Sequence, residues 1–89
     1  MDEIYIGEVT HYYPRIMVAV ITLVEQLNLG DSLHFKSPTG RIEWVDFEQK
    51  VDSMEVDRQK IQSAEPGQEI AIKVEQRVRK RDRVYKKVE

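Results

Sequence analysis

Short stretches rich in β-branched and aromatic residues alternate with turn residues along this chain. Tyr13-Pro14, Asn28-Leu29-Gly30-Asp31, Ser37-Pro38-Thr39-Gly40 and Glu65-Pro66-Gly67 each supply a fixed φ or a residue tolerant of positive φ. Strands separated in this way predict a sandwich or barrel rather than a helical bundle. Residues 4–10 form the expected first strand, with Gly7 as a bulge or a point of close approach. Residues 15–25 give the strongest pattern. Ile16, Val18, Val20, Ile21, Thr22 and Val24 are β-branched, which disfavours a helix of that length. Both parities of this segment are apolar, Ile16, Val18, Val20 and Val24 on one and Met17, Ala19, Ile21 and Leu23 on the other. Such a strand must be covered twice, by a barrel interior and by a loop or partner.

Residues 32–36 alternate just after the Gly30-Asp31 turn, which predicts a hairpin between the second and third strands. Residues 37–44 read as a loop. Residues 46–56 are strand-like, with a slip in period that predicts a bulge near Ser53. Residues 58–65 predict only a turn. Residues 69–74 alternate cleanly, and residues 83–88 close the chain with Val84 and Val88 on one side and Tyr85 on the other. The expectation is one all-β domain over residues 1–89, folded as a small closed antiparallel barrel of six or seven strands, which leaves no exposed edge.

Composition supports a single soluble domain. The 89 residues are 40% hydrophobic and 34% charged, too apolar for a disordered chain and too short for two cores. Without cysteine, neither a disulfide framework nor a thiolate metal site can form. The N-terminus is acidic where a secretory leader would be basic. The longest apolar run, residues 16–24, is half a membrane span. A cytoplasmic location without a membrane partner is expected. The net charge of −2 conceals a gradient: residues 1–76 carry 7 Lys/Arg and 14 Asp/Glu, residues 77–89 carry 7 Lys/Arg and 2 Asp/Glu. Only the C-terminal part attracts a polyanion at long range.

Reactive chemistry is hard to find. His11 and His34 fall on different predicted strands with no spacing that suggests a metal, so neither a metal nor a cofactor is expected. Asp46 and Glu48 share a strand face, and Asp52, Glu55 and Asp57 follow. All lie among charged neighbours, where no carboxyl is desolvated for acid–base work. Ser32, Ser37, Ser53 and Ser63 have neither an elbow motif nor an adjacent His. The chain reads as a binding module and not an enzyme. His11-Tyr12-Tyr13 is either a stacking platform or a strand end packed on its neighbour. Trp44 and Phe47 are either a binding anchor or core residues. The basic run of Arg77, Arg79, Lys80, Arg81 and Arg83, with Lys86 and Lys87 beyond it, suits phosphate contacts. It equally suits a solvated turn with charge-guarded edges, or docking on the acidic body. The apolar parity of Met17, Ile21 and Leu23 suits a homodimer or another protein.

Several pieces in order resemble the second-domain β-barrel of translational GTPases such as elongation factor Tu. They are Gly7-Glu8-Val9, the long apolar strand, Leu27-Asn28-Leu29-Gly30-Asp31, Ala64-Glu65-Pro66-Gly67, Glu69-Ile70-Ala71-Ile72 and Arg81-Asp82-Arg83-Val84-Tyr85. The resemblance implies a barrel that holds the 3′ end of transfer RNA or another RNA. By residue type it places a contributing Glu-x-x-Arg pair on Glu55 and Arg58. The family's following Asn falls on Glu69, a carboxylate that would repel a phosphate. No Gly-x-x-x-x-Gly-Lys-Ser/Thr loop is present, so GTP binding by this chain alone is not expected. The same barrel is also appended to other proteins, for example near the C-terminus of collagenase-like peptidases. The alternative function is therefore a protein-interaction module or accessory subunit of such an enzyme.

Overall fold

The computed structural model describes residues 2–38 and 45–88. These form ten strands and no helix: β1 (Asp2–Tyr13), β2 (Val18–Leu23), β3 (Leu27–Asn28), β4 (Ser32–Lys36), β5 (Asp46–Lys50), β6 (Met54–Val56), β7 (Gln59–Ile61), β8 (Ser63–Ala64), β9 (Glu69–Lys73) and β10 (Arg83–Val88). Eight make one antiparallel sheet in the order β5-β4-β10-β1-β2-β9-β6-β7, and β3 pairs with β8 separately. The long β1 is bulged twice, between Tyr5 and Gly7 and between Val9 and His11. Each bulge bends the strand and increases its twist. At the first bulge the backbones of β1 and β2 come so close that a Cβ on Gly7 would lie 2.2 Å from the Thr22 carbonyl oxygen.

Connectivity forces the sheet to curl. In the ladder β5 and β6 are six places apart, about 29 Å in a flat sheet at a spacing of about 4.8 Å. Yet only residues 51–53 join them, a link that reaches at most about 15 Å. The two ends of the sheet must therefore face each other. They do not complete a ladder. Instead the Gln49 amide on β5 bridges the seam, its Nε2–H donating to the Lys73 carbonyl (2.9 Å) and its Oε1 accepting from the Glu75 N–H (2.8 Å). The expectation of an all-β domain holds. The closed barrel is not met, because the ladder of described strands is open, with β5 and β7 as edges.

The concave side holds the core. Ile6 and Val9 of β1, Ile21 and Leu23 of β2, and Ile70 and Ile72 of β9 are fully or almost fully buried. Phe35 stacks on Phe47 with ring centroids 4.9 Å apart. Here β2 reverses the expected sidedness. Ala19, Ile21 and Leu23 face inward, and Val18, Val20 and Thr22 face outward and half-buried. The inward parity carries the longer Ile and Leu, each contributing about 1.5–3 kcal/mol on burial. Its cross-strand partners on β9 are the equally apolar Ile70 and Ile72.

Three other expectations change. The segment ending at Leu23 does not pair with residues 32–36: β2 lies between β1 and β9, and β4 between β10 and β5. The Gly30-Asp31 turn instead links β4 to the small β3–β8 pair. Residues 46–56 are two strands at opposite ends of the sheet, not one bulged strand. Between them Val51 is buried and exchanges backbone hydrogen bonds with Asp31 and Gly30. Residues 58–65 hold β7 and β8. The β6–β7 hairpin turns on Asp57 and Arg58, both at positive φ (51° and 67°), the mirror-image turn usually made with Asn or Gly. The strands expected at residues 69–74 and 83–88 are present. Trp44 and most of the expected loop lie outside the described residues.

Three turns repeat one device. In residues 28–31, 65–68 and 79–82 the third residue has positive φ (Gly30 89°, Gly67 93°, Arg81 79°), and the fourth N–H donates to the first carbonyl at 3.0–3.2 Å. This is the type II turn. In each, the fourth side chain also accepts the first residue's N–H: Asp31 at 2.9 Å, Gln68 at 2.8 Å and Asp82 at 2.8 Å. Asp82 is fully buried in that role.

Candidate functional site

Outward-facing residues of β2, β9 and β6 shape a groove with an apolar floor. Register sets Val20 opposite Ala71, and Ala71 opposite Glu55; Val18 stands opposite Lys73 on one side and Tyr13 on the other. A small residue at Ala71, between larger neighbours, leaves a hollow of about 610 Å³ floored by Val18 and Ala71. Tyr13 and Ile16 wall one end, 46% and 60% exposed. Glu55, Arg58, Lys60 and Lys73 form the rim. The apolar wall continues over the turn at Pro14, beside Arg15. Tyr13 packs against His11, centroids 4.3 Å apart, so that part of the cluster closes a strand end.

A second polar cluster covers the outer face of β1, β10, β4 and β5. His34 lies between Glu3, whose Oε2 is 2.7 Å from Nδ1, and Asp46, whose Oδ1 is 2.5 Å from Nε2. Ionised carboxylates only accept, so both contacts are hydrogen bonds only when the ring is doubly protonated. Burial alone would lower the His34 pKa; the hydrogen bonds to Asp46 and Glu3 outweigh it and hold the value above the ordinary 6.5. Glu48 on β5, bound to Lys87 at 2.6 Å, faces the same ring. Tyr85 of β10, opposite His34, meets Tyr5 edge-on and carries Lys36 over its face.

Because the folded pKa is raised, this clasp contributes fully below pH 6.5 and is lost as pH climbs through the folded value. Urea midpoints measured across that interval are expected to fall with rising pH in the parent and to stay flatter in His34→Gln. Parallel profiles would refute the assignment.

Glu3, His34 and Glu48 bring ligand atoms within 4.8 Å of one another, a set with the donor types for a metal ion. The sequence did not reveal it because the three residues sit on three strands. The cluster already compensates itself, however: both imidazole nitrogens are hydrogen-bonded and Lys87 neutralises Glu48.

The residues singled out in the sequence separate in space. Glu55 and Arg58 meet at the groove rim. Arg77, Arg79, Lys80, Arg81 and Arg83 lie on the loop and strand start built around Asp82; Arg79 is half-buried and the other four are exposed. Ile21 and Leu23 are core residues, out of a partner's reach, and Met17 is half-buried at positive φ (53°). The exposed apolar residues of this region are Tyr13, Ile16 and Val24. Among the described residues no hydroxyl is hydrogen-bonded to a histidine. No helix among them is long and apolar enough to cross a membrane.

No protein-family model matches the chain. It is 34% identical over 84 residues to an uncharacterised protease of Methanocaldococcus jannaschii, covering 93% of this chain. It is 31% identical over 86 residues to a collagenase of Porphyromonas gingivalis, covering 96%. The chain spans about a fifth of each relative, 19% and 20% of their lengths. In fold it resembles the C-terminal domain of a Geobacillus thermoleovorans protein named as a U32 peptidase, with a TM-score of 0.82, 22% identity, and coverage of 94% of this chain and 92% of that one. These findings show that the chain, over almost its whole length, is similar to part of a protease and of a collagenase and shares the fold of the Geobacillus domain. They overturn the likeness to a translation-factor, RNA-binding domain. The structure explains why that likeness arose. Gly7 marks a close backbone approach, and residues 28–31 and 65–68 build type II turns. Those residues serve architecture, and architecture recurs without shared function.

Proposed function

We propose that this chain is a non-catalytic accessory domain of a collagenase-like peptidase and works by binding polypeptide. The observation that carries the reading is the pattern of coverage. At 30–34% identity the likeness runs over 93–96% of the chain but only 19–23% of the protease and collagenases. The matched portion is thus a small part of each peptidase, and most of each relative lies outside it. Two further observations support the reading. His34, flanked by carboxylates on both nitrogens, is poorly placed as a base. The groove over Ala71 offers an apolar floor with a polar rim, the usual make-up of a binding site.

The purified chain, incubated at high concentration with gelatin and with labelled peptides, is expected to release no fragments. Fragments that accumulate in proportion to chain concentration, and persist after further purification, would contradict the reading.

A further inference from the structure

We propose that the groove across β2, β9 and β6 docks an extended acidic stretch of polypeptide carrying apolar side chains. The inference rests on the accessory-domain reading for the class of partner, polypeptide; its location and charge come from the groove itself. The floor of Val18 and Ala71 is aliphatic and takes up side chains by burial. Three cations, Arg58, Lys60 and Lys73, line it against one carboxylate, Glu55, with Arg15 on the adjoining turn. That excess of two positive charges in the lining stands on a chain whose net charge is −2. Among the described residues none of the four cations has an ion-pair partner. An anionic occupant gives them one, and steers the encounter.

The shape fits an extended segment. The hollow of about 610 Å³ runs beside β7, an edge of the sheet whose outer backbone groups can receive a strand. Nucleic acid fits less well. Base stacking along a strand needs a series of aromatic faces, and here the floor is aliphatic and, among the described residues, Tyr13 is the one aromatic ring in the lining.

The test uses the whole chain and two fluorescein-labelled peptides, one alternating Leu with Glu and one alternating Leu with Lys, read by fluorescence anisotropy at low and high salt. The Leu/Glu peptide is expected to bind and to weaken with salt, and the Leu/Lys peptide to bind far less. The double variant Lys60→Glu/Lys73→Glu is expected to weaken the first by about tenfold or more and to favour the second. Ile16→Glu, at a position 60% exposed on a turn, is expected to weaken binding while leaving the melting temperature unchanged. Equal affinity for the two peptides, no binding of either, affinity unaffected by both variants, or displacement of the acidic peptide by single-stranded RNA at the same groove would each overturn the proposal. The two readings fail separately. Absence of peptide binding removes the groove assignment alone, whereas cleavage of the bound peptide removes the accessory reading alone.

Discussion

Gly7→Ala is expected to destabilise the chain by about 3 kcal/mol or more, a large fraction of the roughly 5–15 kcal/mol available to a small domain. The added methyl would lie 2.2 Å from the Thr22 carbonyl oxygen and 3.2 Å from Ile21 Cγ2. No flexible side-chain end can move aside there, since the nearer atom is backbone in the adjacent strand. Gly7 is hydrogen-bonded into the sheet on both sides, opposite Leu23 and Val84, so relief would require parting β1 from β2. Gly30→Ala serves as the control. A Cβ at Gly30 meets nothing within 4 Å, and only its positive φ is strained, at about 1–2 kcal/mol. Urea denaturation of both variants measures the contrast. Equal losses at the two positions would show that backbone proximity is not what Gly7 serves.

The second large effect is expected at the seam. Gln49→Leu keeps the volume of the side chain but removes both hydrogen bonds to the end of β9. The Lys73 carbonyl and the Glu75 N–H would each lose a partner next to a buried position, at about 1–3 kcal/mol apiece. The loss is expected to be local as well as global: amide exchange at Glu75 should accelerate more than exchange at Ile70 in the centre of β9. A leucine variant as stable as its parent, with Glu75 still protected, would mean that the seam is held by packing alone.

Local chemistry made part of this fold readable. In β9, Glu69, Ala71 and Lys73 alternate with Ile70 and Ile72, and such alternation states both the element and its buried face. Gly7, Gly30 and Gly67 announced their positions because glycine best tolerates what those backbones do, whereas Arg81, in the same turn position as Gly30 and Gly67, gave no such signal. Sidedness in β2 was hidden because both of its parities are apolar. Only the register against β9, which places Ile21 opposite Ile70, decides between them, and register is a long-range property. The split between β5 and β6 escaped for a related reason. Residues 51–53 read as an irregular strand, while the change of sheet position depends on backbone bonds from Val51 to residues 30 and 31. The Asp57-Arg58 turn lacked a clear signal, because Asp57 suits positive φ but Arg58 stands where glycine usually does. Of the candidate site, the sequence supplied Glu55 and Arg58 as a pair and Tyr13 as a candidate stacking residue, but not their meeting with Val18 and Ala71, which separate strands bring together.

In the accessory role proposed above, these residues assist a peptidase without cutting peptide bonds themselves. Its most direct test is the rate of gelatin cleavage by the Porphyromonas gingivalis collagenase in three forms: intact, shortened by the segment that matches this chain, and with this chain fused in its place. A loss of kcat/KM is expected in the shortened enzyme, with recovery in the fusion to within about tenfold of the intact one. A shortened enzyme as active as the intact form, or a folded fusion no better than the shortened one, would contradict it.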